Sequence, residues 1–233
     1  MFFPLKDENP TYNRPYVTVS LIVINVLVYL YTLPMSQQAF RVFLFKFGLI
    51  PYEIVHLSEL VPEISFPVFL TPFTSMFLHG GFMHLLGNML FLWIFGNNVE
   101  DYLGPIKFII FYFVSGLAAV LLFVIFGPNS QVPLVGASGA IAGILGAYMI
   151  LWPRARILTL IWLFYFIRLA HIPAKFMLGF WFFYQLLMST SSIGGGTGGG
   201  VAWLAHVGGF AFGWVWFRFI ASKKRPAHFH WQR

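Results

Sequence analysis

The stretch "LVGASGAIAG", Leu134 to Gly143, places one serine, Ser138, among small residues at the mouth of an apolar run, with glycines at Gly136, Gly139 and Gly143. A hydroxyl there gains little from packing, so its meaning depends on what surrounds the run. The chain has 233 residues, of which 59% are hydrophobic and only 9% charged. Soluble domains carry about 25% charged residues. The composition therefore predicts an integral membrane protein of about one domain. Cysteine is absent, which excludes disulfides, thiolate catalysis and thiolate-bound metal. The formal net charge is +7. The basic residues lie between apolar runs and at the C-terminus, not in one aromatic-interleaved patch. The expected partner is the lipid bilayer and not nucleic acid.

A membrane-crossing helix needs about 20 apolar residues, with about 17 as the lower limit. Six segments qualify or come close: Val17–Leu33, Phe82–Asn97, Ile106–Phe126, Ala137–Trp152, Ala174–Met188 and Val201–Ala221. The expected fold class is all-α, a polytopic bundle of six transmembrane helices. The run Ile157–Ile167, "ILTLIWLFYFI", is only 11 residues long and is followed by Arg168, His171, Pro173 and Lys175. It is expected as an interfacial or protein-buried segment leading into the fifth span.

Charge sets the orientation. With the N-terminus inside, twelve of the 14 Lys and Arg fall in cytoplasmic segments, and only Arg41 and Lys46 fall outside. The excess of positive charge on cytoplasmic loops predicts that both termini are cytoplasmic. The polar start of the chain does not read as a cleaved signal peptide. The expected organisation is a short cytoplasmic tail over residues 1–16, a six-helix membrane domain over 17–221, and a basic cytoplasmic tail over 222–233. Outer loops are expected at 34–71 and 189–200. The first is too apolar for a solvated linker and is expected to fold partly into the bilayer surface. The second contains "GGGTGGG", Gly194–Gly200, whose backbone freedom suits either a flap or a plain linker.

In this topology the second, fourth and sixth spans all run inward and carry their polar residues near their outer ends. The second has His84 and Asn88, with His79 just before it; the fourth starts at Ser138; the sixth has His206. Polar groups inside membranes are costly and tend to mark function. His84 and Asn88, four apart, share one helix face. His79, five from His84, is expected to turn away to the interface. Ser138 and His206 are flanked by small residues, Gly136, Gly139 and Gly143 on one side and Gly209 and Gly213 on the other. Small residues let helix backbones approach closely in lipid, which would bring hydroxyl and imidazole within reach.

A serine is a weak nucleophile until a base takes its proton, and His206 is the candidate base. Backbone N–H groups at the start of the fourth span, with the side chains of His84 and Asn88, are candidate donors to an oxyanion. No acidic residue within the spans is available to orient the histidine, so the simplest construction is a Ser–His dyad. Each residue alone has a plainer reading: Ser138 as a helix cap or packing contact, His206 as a buried hydrogen-bonding group, Asn88 as glue between helices. Their shared depth and flanking glycines favour the catalytic reading. Glu100 and Asp101 are expected to form a solvated or Arg-paired cap on the inner side.

"GASGA" at Gly136–Ala140, "AHVGGFAFG" at Ala205–Gly213 and "HGGFMHLLGN" at His79–Asn88 resemble, in order, the three signatures of the rhomboid family of intramembrane serine proteases. The chain resembles the basic six-helix bacterial form. The resemblance implies Ser138 as nucleophile and His206 as general base, with His84, Asn88 and the Ser138 backbone N–H as the oxyanion hole. It implies single-pass transmembrane proteins as substrates, cut near the outer membrane face, and a cell inner (plasma) membrane location. It implies that the fifth span and the loop after it act as gate and cap. No metal or cofactor is required, and no oligomeric state is specified. Two positions depart from the pattern. A Trp–Arg pair common in the first outer loop is replaced by Leu70 and Thr71. The bulky aromatic often found one turn after the nucleophile is Ala142, so His206 needs another orienting group, with Trp181 or Phe182 the expected candidates. Two other readings use the same residues: a catalytically inactive rhomboid-like protein that binds transmembrane helices, and a haem or proton-conducting protein built on His79, His84 and His206.

Overall fold

The structure is a computed structural model that describes residues 2–61, 66–163, 165–193 and 203–220. The glycine run at Gly194–Gly200, the first two residues of the sixth segment and the basic tail at 222–233 lie outside the described residues.

Among the described residues, every segment read as a span is mainly helical. The helices are α1 (Tyr16–Thr32), α2 (Gln37–Phe47) and α3 (Pro51–His56), then α4 (Phe82–Leu103), with a wider π turn at Leu92–Gly96. They continue with α5 (Pro105–Phe126), α6 (Ser138–Leu151), α7 (Ala174–Ile193) and α8 (Trp203–Val215), the last extended by a π turn to Ile220. Among the described residues α5 alone is long and apolar enough to cross a membrane as one straight helix. Helix α4 is joined to the helical stretch Val68–Phe77 through a bend of 82°, and α1 and α6 are shorter apolar helices. Gly104, at φ 75°, ends α4 and Pro105 starts α5 at its first turn, so the two meet through a single residue.

The bundle centres on α6, which is buried along most of its length from Ala140 to Tyr148. Helix α8 packs most extensively against α6 and α5. A Cβ on Gly209 would collide with the Gly139 carbonyl oxygen, and one on Gly213 with that of Gly143. Two backbones this close leave no room for side chains between them.

The expectation of an all-α chain needs correction. Residues Phe2–Asp7 (β1), Arg156–Leu163 (β2) and Phe166–Pro173 (β3) form a three-stranded antiparallel sheet in the order β1-β2-β3. The run expected as an interfacial or protein-buried segment holds most of β2 and the first residues of β3, which pair as antiparallel strands. Its β-branched and aromatic residues suit a pleated strand, and its length is ample for a strand and short for a spanning helix. The register places Phe2 opposite Ile161 and Asp7 opposite Ile157, with an irregularity between Pro4 and Lys6. The same pairing turns Phe2–Asp7 of the expected N-terminal tail into an edge strand.

Sheet and loops mark the two ends of the bundle. Beyond the C-terminal end of α6, the sheet joins the N-terminal segment to the α6–α7 connection. Beyond its N-terminal end, Leu49 and Leu134 exchange both backbone hydrogen bonds, at 3.1 and 2.7 Å. That contact ties the connection between α1 and α4 to the one between α5 and α6. Leu49 and Ile50 are fully buried, so this apolar connection folds onto the protein.

Among the described residues, Glu100 is neither solvated nor paired with arginine. Its carboxylate is buried and accepts from the backbone N–H of Val17 at 2.8 Å and of Thr18 at 2.7 Å, and from the Thr18 hydroxyl at 2.7 Å. It caps the first turn of α1 from another helix, where free N–H groups and the positive end of the helix dipole favour an anion. Asp101 accepts from the backbone N–H groups of Tyr12 and Asn13, at 3.0 and 2.9 Å. Asp7 is buried under α6, where Tyr148 donates its hydroxyl to the carboxylate at 2.8 Å. Burial pushes the Asp7 carboxyl up to about 6, against the smaller opposing effect of the tyrosine hydrogen bond.

Candidate active site

Ser138 is the first residue of α6, and the backbone ahead of it is shaped by Gly136 at φ 125°, a conformation that favours glycine. A Cβ at Gly136 would lie 2.8 Å from Nε2 of His84 and 3.6 Å from the Ser138 hydroxyl. The missing side chain is what lets the His84 ring edge approach the serine. Gly136 thus shapes the loop and does not belong to the helix–helix contact. Its N–H donates to the Ser75 carbonyl at 2.9 Å, which fixes the loop against the stretch before α4.

The glycine contacts between α6 and α8 bring His206 to the serine. Nε2 of His206 lies 2.7 Å from Oγ of Ser138, across 68 residues of sequence. On its other side, Nδ1 of His206 lies 2.8 Å from Oε1 of Gln185 on α7. Gln185 is buried, and the sequence analysis missed it. The available signal was a lone amide in an otherwise apolar stretch, "GFWFFYQLLM", which is the kind of polar residue that marks function in a membrane helix. Of the two aromatic candidates on α7, Trp181 flanks the imidazole with ring centroids 5.8 Å apart, whereas Phe182 stacks on Phe210 at 4.5 Å. Trp203 meets the ring edge-on at 6.4 Å.

His84 and Asn88 lie one turn apart on α4. Asn88 is buried, and its amide Nδ2 has no hydrogen-bond partner among the described residues. An unsatisfied buried donor is expensive, and such a group remains available to an incoming acceptor. His79 corrects an expectation. It is 3% exposed and its ring packs edge-on against His84 at 5.1 Å. Helical spacing does not apply to it, because His79 precedes α4 and the Gly80–Gly81 bend folds it back over the helix start. Thr71, at one position of the missing Trp–Arg pair, is buried and donates its hydroxyl to the Val68 carbonyl at 2.8 Å.

Chemically, the arrangement supplies a hydroxyl, an imidazole positioned to take its proton, and backbone and side-chain donors near the start of one helix. Fold and site together define a helix-bundle protein with a serine and a histidine in hydrogen-bond contact near one end. The family model for the Rhomboid domain matches residues 68–223. Rhomboid protein 1, mitochondrial, of Saccharomyces cerevisiae is 37% identical over 91 residues, covering 37% of this chain and 26% of that protein. The Bacillus subtilis protein named Rhomboid protease GluP is 40% identical over 76 residues, 33% of this chain and 14% of its own length. RHOMBOID-like protein 4 of Arabidopsis thaliana is 33% identical over 138 residues, 59% of this chain and 30% of its own length. The chain belongs to the rhomboid family, whose members are embedded in membranes. Its matches span less than a third of the length of each of these relatives.

Proposed function

We propose that this chain is an intramembrane serine endopeptidase. The observation that carries the reading is the 2.7 Å contact between Ser138 Oγ and His206 Nε2. In the proposed reaction the Ser138 oxygen attacks the scissile carbonyl carbon while His206 Nε2 takes the hydroxyl proton. The carbonyl oxygen becomes an oxyanion, held by the Ser138 backbone N–H, Asn88 Nδ2 and the His84 ring. Collapse breaks the C–N bond, and the imidazolium returns its proton to the leaving amine. Water then hydrolyses the acyl-enzyme by the same steps, with His206 again as base.

The substrates are single-pass transmembrane proteins, cut near the outer face. Six helices, α1 and α4 to α8, cross the bilayer, with the sheet and both termini on the cytoplasmic side of a cell inner membrane. The distribution of Lys and Arg supports this orientation, as does the separation of the sheet from the Leu49–Leu134 contact by the length of α6. The test is cleavage of a transmembrane reporter by purified protein in liposomes, with Ser138→Ala prepared in parallel. Product from the wild type alone supports the reading. Product from both preparations defeats it, and product from neither, with Ser138 also inert to a fluorophosphonate, favours a helix-binding protein without catalysis.

A further inference from the structure

The imidazole of His206 has two nitrogens, and each has a partner. Nε2 faces the Ser138 hydroxyl at 2.7 Å and Nδ1 faces Oε1 of Gln185 at 2.8 Å. A neutral imidazole carries one proton, and which nitrogen holds it is set by the partner on the other side of the ring. An amide oxygen can only accept. With Oε1 at Nδ1, the proton belongs on Nδ1, and the Nε2 lone pair is left facing the serine. With the amide held in this orientation, the other tautomer would set two acceptors opposite each other at Nδ1 and leave no lone pair facing the serine.

We propose that Gln185 is a positioning residue that fixes the reactive tautomer and ring orientation of His206, so that the site works as a Ser–His–Gln relay and not as a bare dyad. The proposal rests on the protease reading above. Burial strengthens the argument. Gln185 is 4% exposed, so water does not compete for the amide, and its loss would leave Nδ1 without a partner inside the bundle. Trp181, one turn before Gln185 on α7, closes the same side of the ring. Helix α7 thus presents an apolar wall and a single acceptor to the histidine. Because the amide is neutral, it selects the tautomer without adding the full charge attraction that a carboxylate would give the imidazolium. Gln185 does this from a third helix, so the base is set by the position of α7 relative to α8.

The test combines kinetics with a direct reading of the tautomer. Gln185→Leu keeps approximate volume and removes the acceptor, whereas Gln185→Glu keeps an acceptor in place. In liposomes, kcat on a transmembrane reporter falls about tenfold to a hundredfold in the leucine variant with little change in KM, less than the roughly 10²–10⁴-fold of a whole general-base contribution because the base itself remains. The glutamate variant keeps kcat within a few-fold of wild type. Nitrogen NMR of histidine-labelled protein, with the His206 signals identified by their loss in His206→Ala, finds the proton on Nδ1 in wild type and redistributed in the leucine variant. A proton on Nε2 in wild type overturns the proposal, whatever the variants do. So does a leucine variant with unchanged kcat beside a dead Ser138→Ala. Failure of the protease reading is distinguishable, because no preparation would then cleave while the tautomer measurement would still decide the role of Gln185.

Discussion

Gly209 of α8 sits against the carbonyl oxygen of Gly139 on α6, with no space between them for even a methyl group. One turn further along, Gly213 meets Gly143 in the same way. These contacts set the separation of the two helices and, with it, the distance between Ser138 and His206. Gly209→Val therefore forces the helices apart. Overpacking of this kind costs about 1–3 kcal/mol or more. The expected outcome is a lower unfolding midpoint in detergent and loss of fluorophosphonate labelling at Ser138. Gly179→Ala is the matched control, because a Cβ there meets nothing within 4 Å. It should fold normally and be neutral or slightly stabilising, as alanine is favoured over glycine in a helix interior by about 0.5–1 kcal/mol.

Ser138→Ala and His206→Ala each remove one partner of the 2.7 Å contact. Both should reduce cleavage by at least about 10⁴-fold, because the two groups act as a unit and the double variant loses little more. Cleavage kinetics of the two single variants and the double variant measure this. Additive losses would show two independent groups.

Asn88 offers an unpaired buried donor one helical turn from His84. Asn88→Ala should lower kcat by about 10²–10³-fold, the usual effect of one oxyanion donor, while KM changes little. Its unfolding midpoint should hold or rise, because the unsatisfied amide is removed along with the donor. A fall in KM-related binding with kcat intact would instead assign Asn88 to substrate binding.

Asp7 predicts a pH dependence that is independent of catalysis. Its carboxyl is raised from 3.8 to about 6 in the folded protein, chiefly by burial. The folded state therefore holds a proton that the unfolded chain gives up. Stability from this group is fully present below pH about 4, is lost as pH rises through about 6, and is flat above that. Thermal unfolding between pH 4.5 and 7.5 should show this slope in the wild type and a shallower one in Asp7→Asn. The asparagine variant should also be the more stable of the two at neutral pH. An identical slope in both would rule out Asp7 as its source.

Much of the candidate site stands out locally in the sequence. Ser138, His206, His84 and Asn88 stand out because polar side chains are rare in apolar helices, and the flanking glycines announce a close helix contact. Gln185 carries the same signal, but a neutral amide is a less obvious orienting group for a histidine than an acid or an aromatic. The position of His79 does not follow from helical spacing, because it precedes the helix. The sheet was hidden for another reason. Strand β2 finds its partner in β1, about 150 residues earlier in the chain, and the pairing leaves no trace in local periodicity.

By itself, the sequence determined that this is a membrane-class chain, where its apolar helices fall, and which polar residues lie near their ends. Hydropathy and helical spacing depend only on neighbours in the chain. The tertiary structure alone decided that Glu100 caps α1, that Asp7 and the first strand dock beneath α6, and that Gln185 completes the histidine's hydrogen bonds. Each of these is a pairing between distant segments. Buried polar groups must find partners wherever the fold brings them, and a single sequence does not say which segments the fold will bring together.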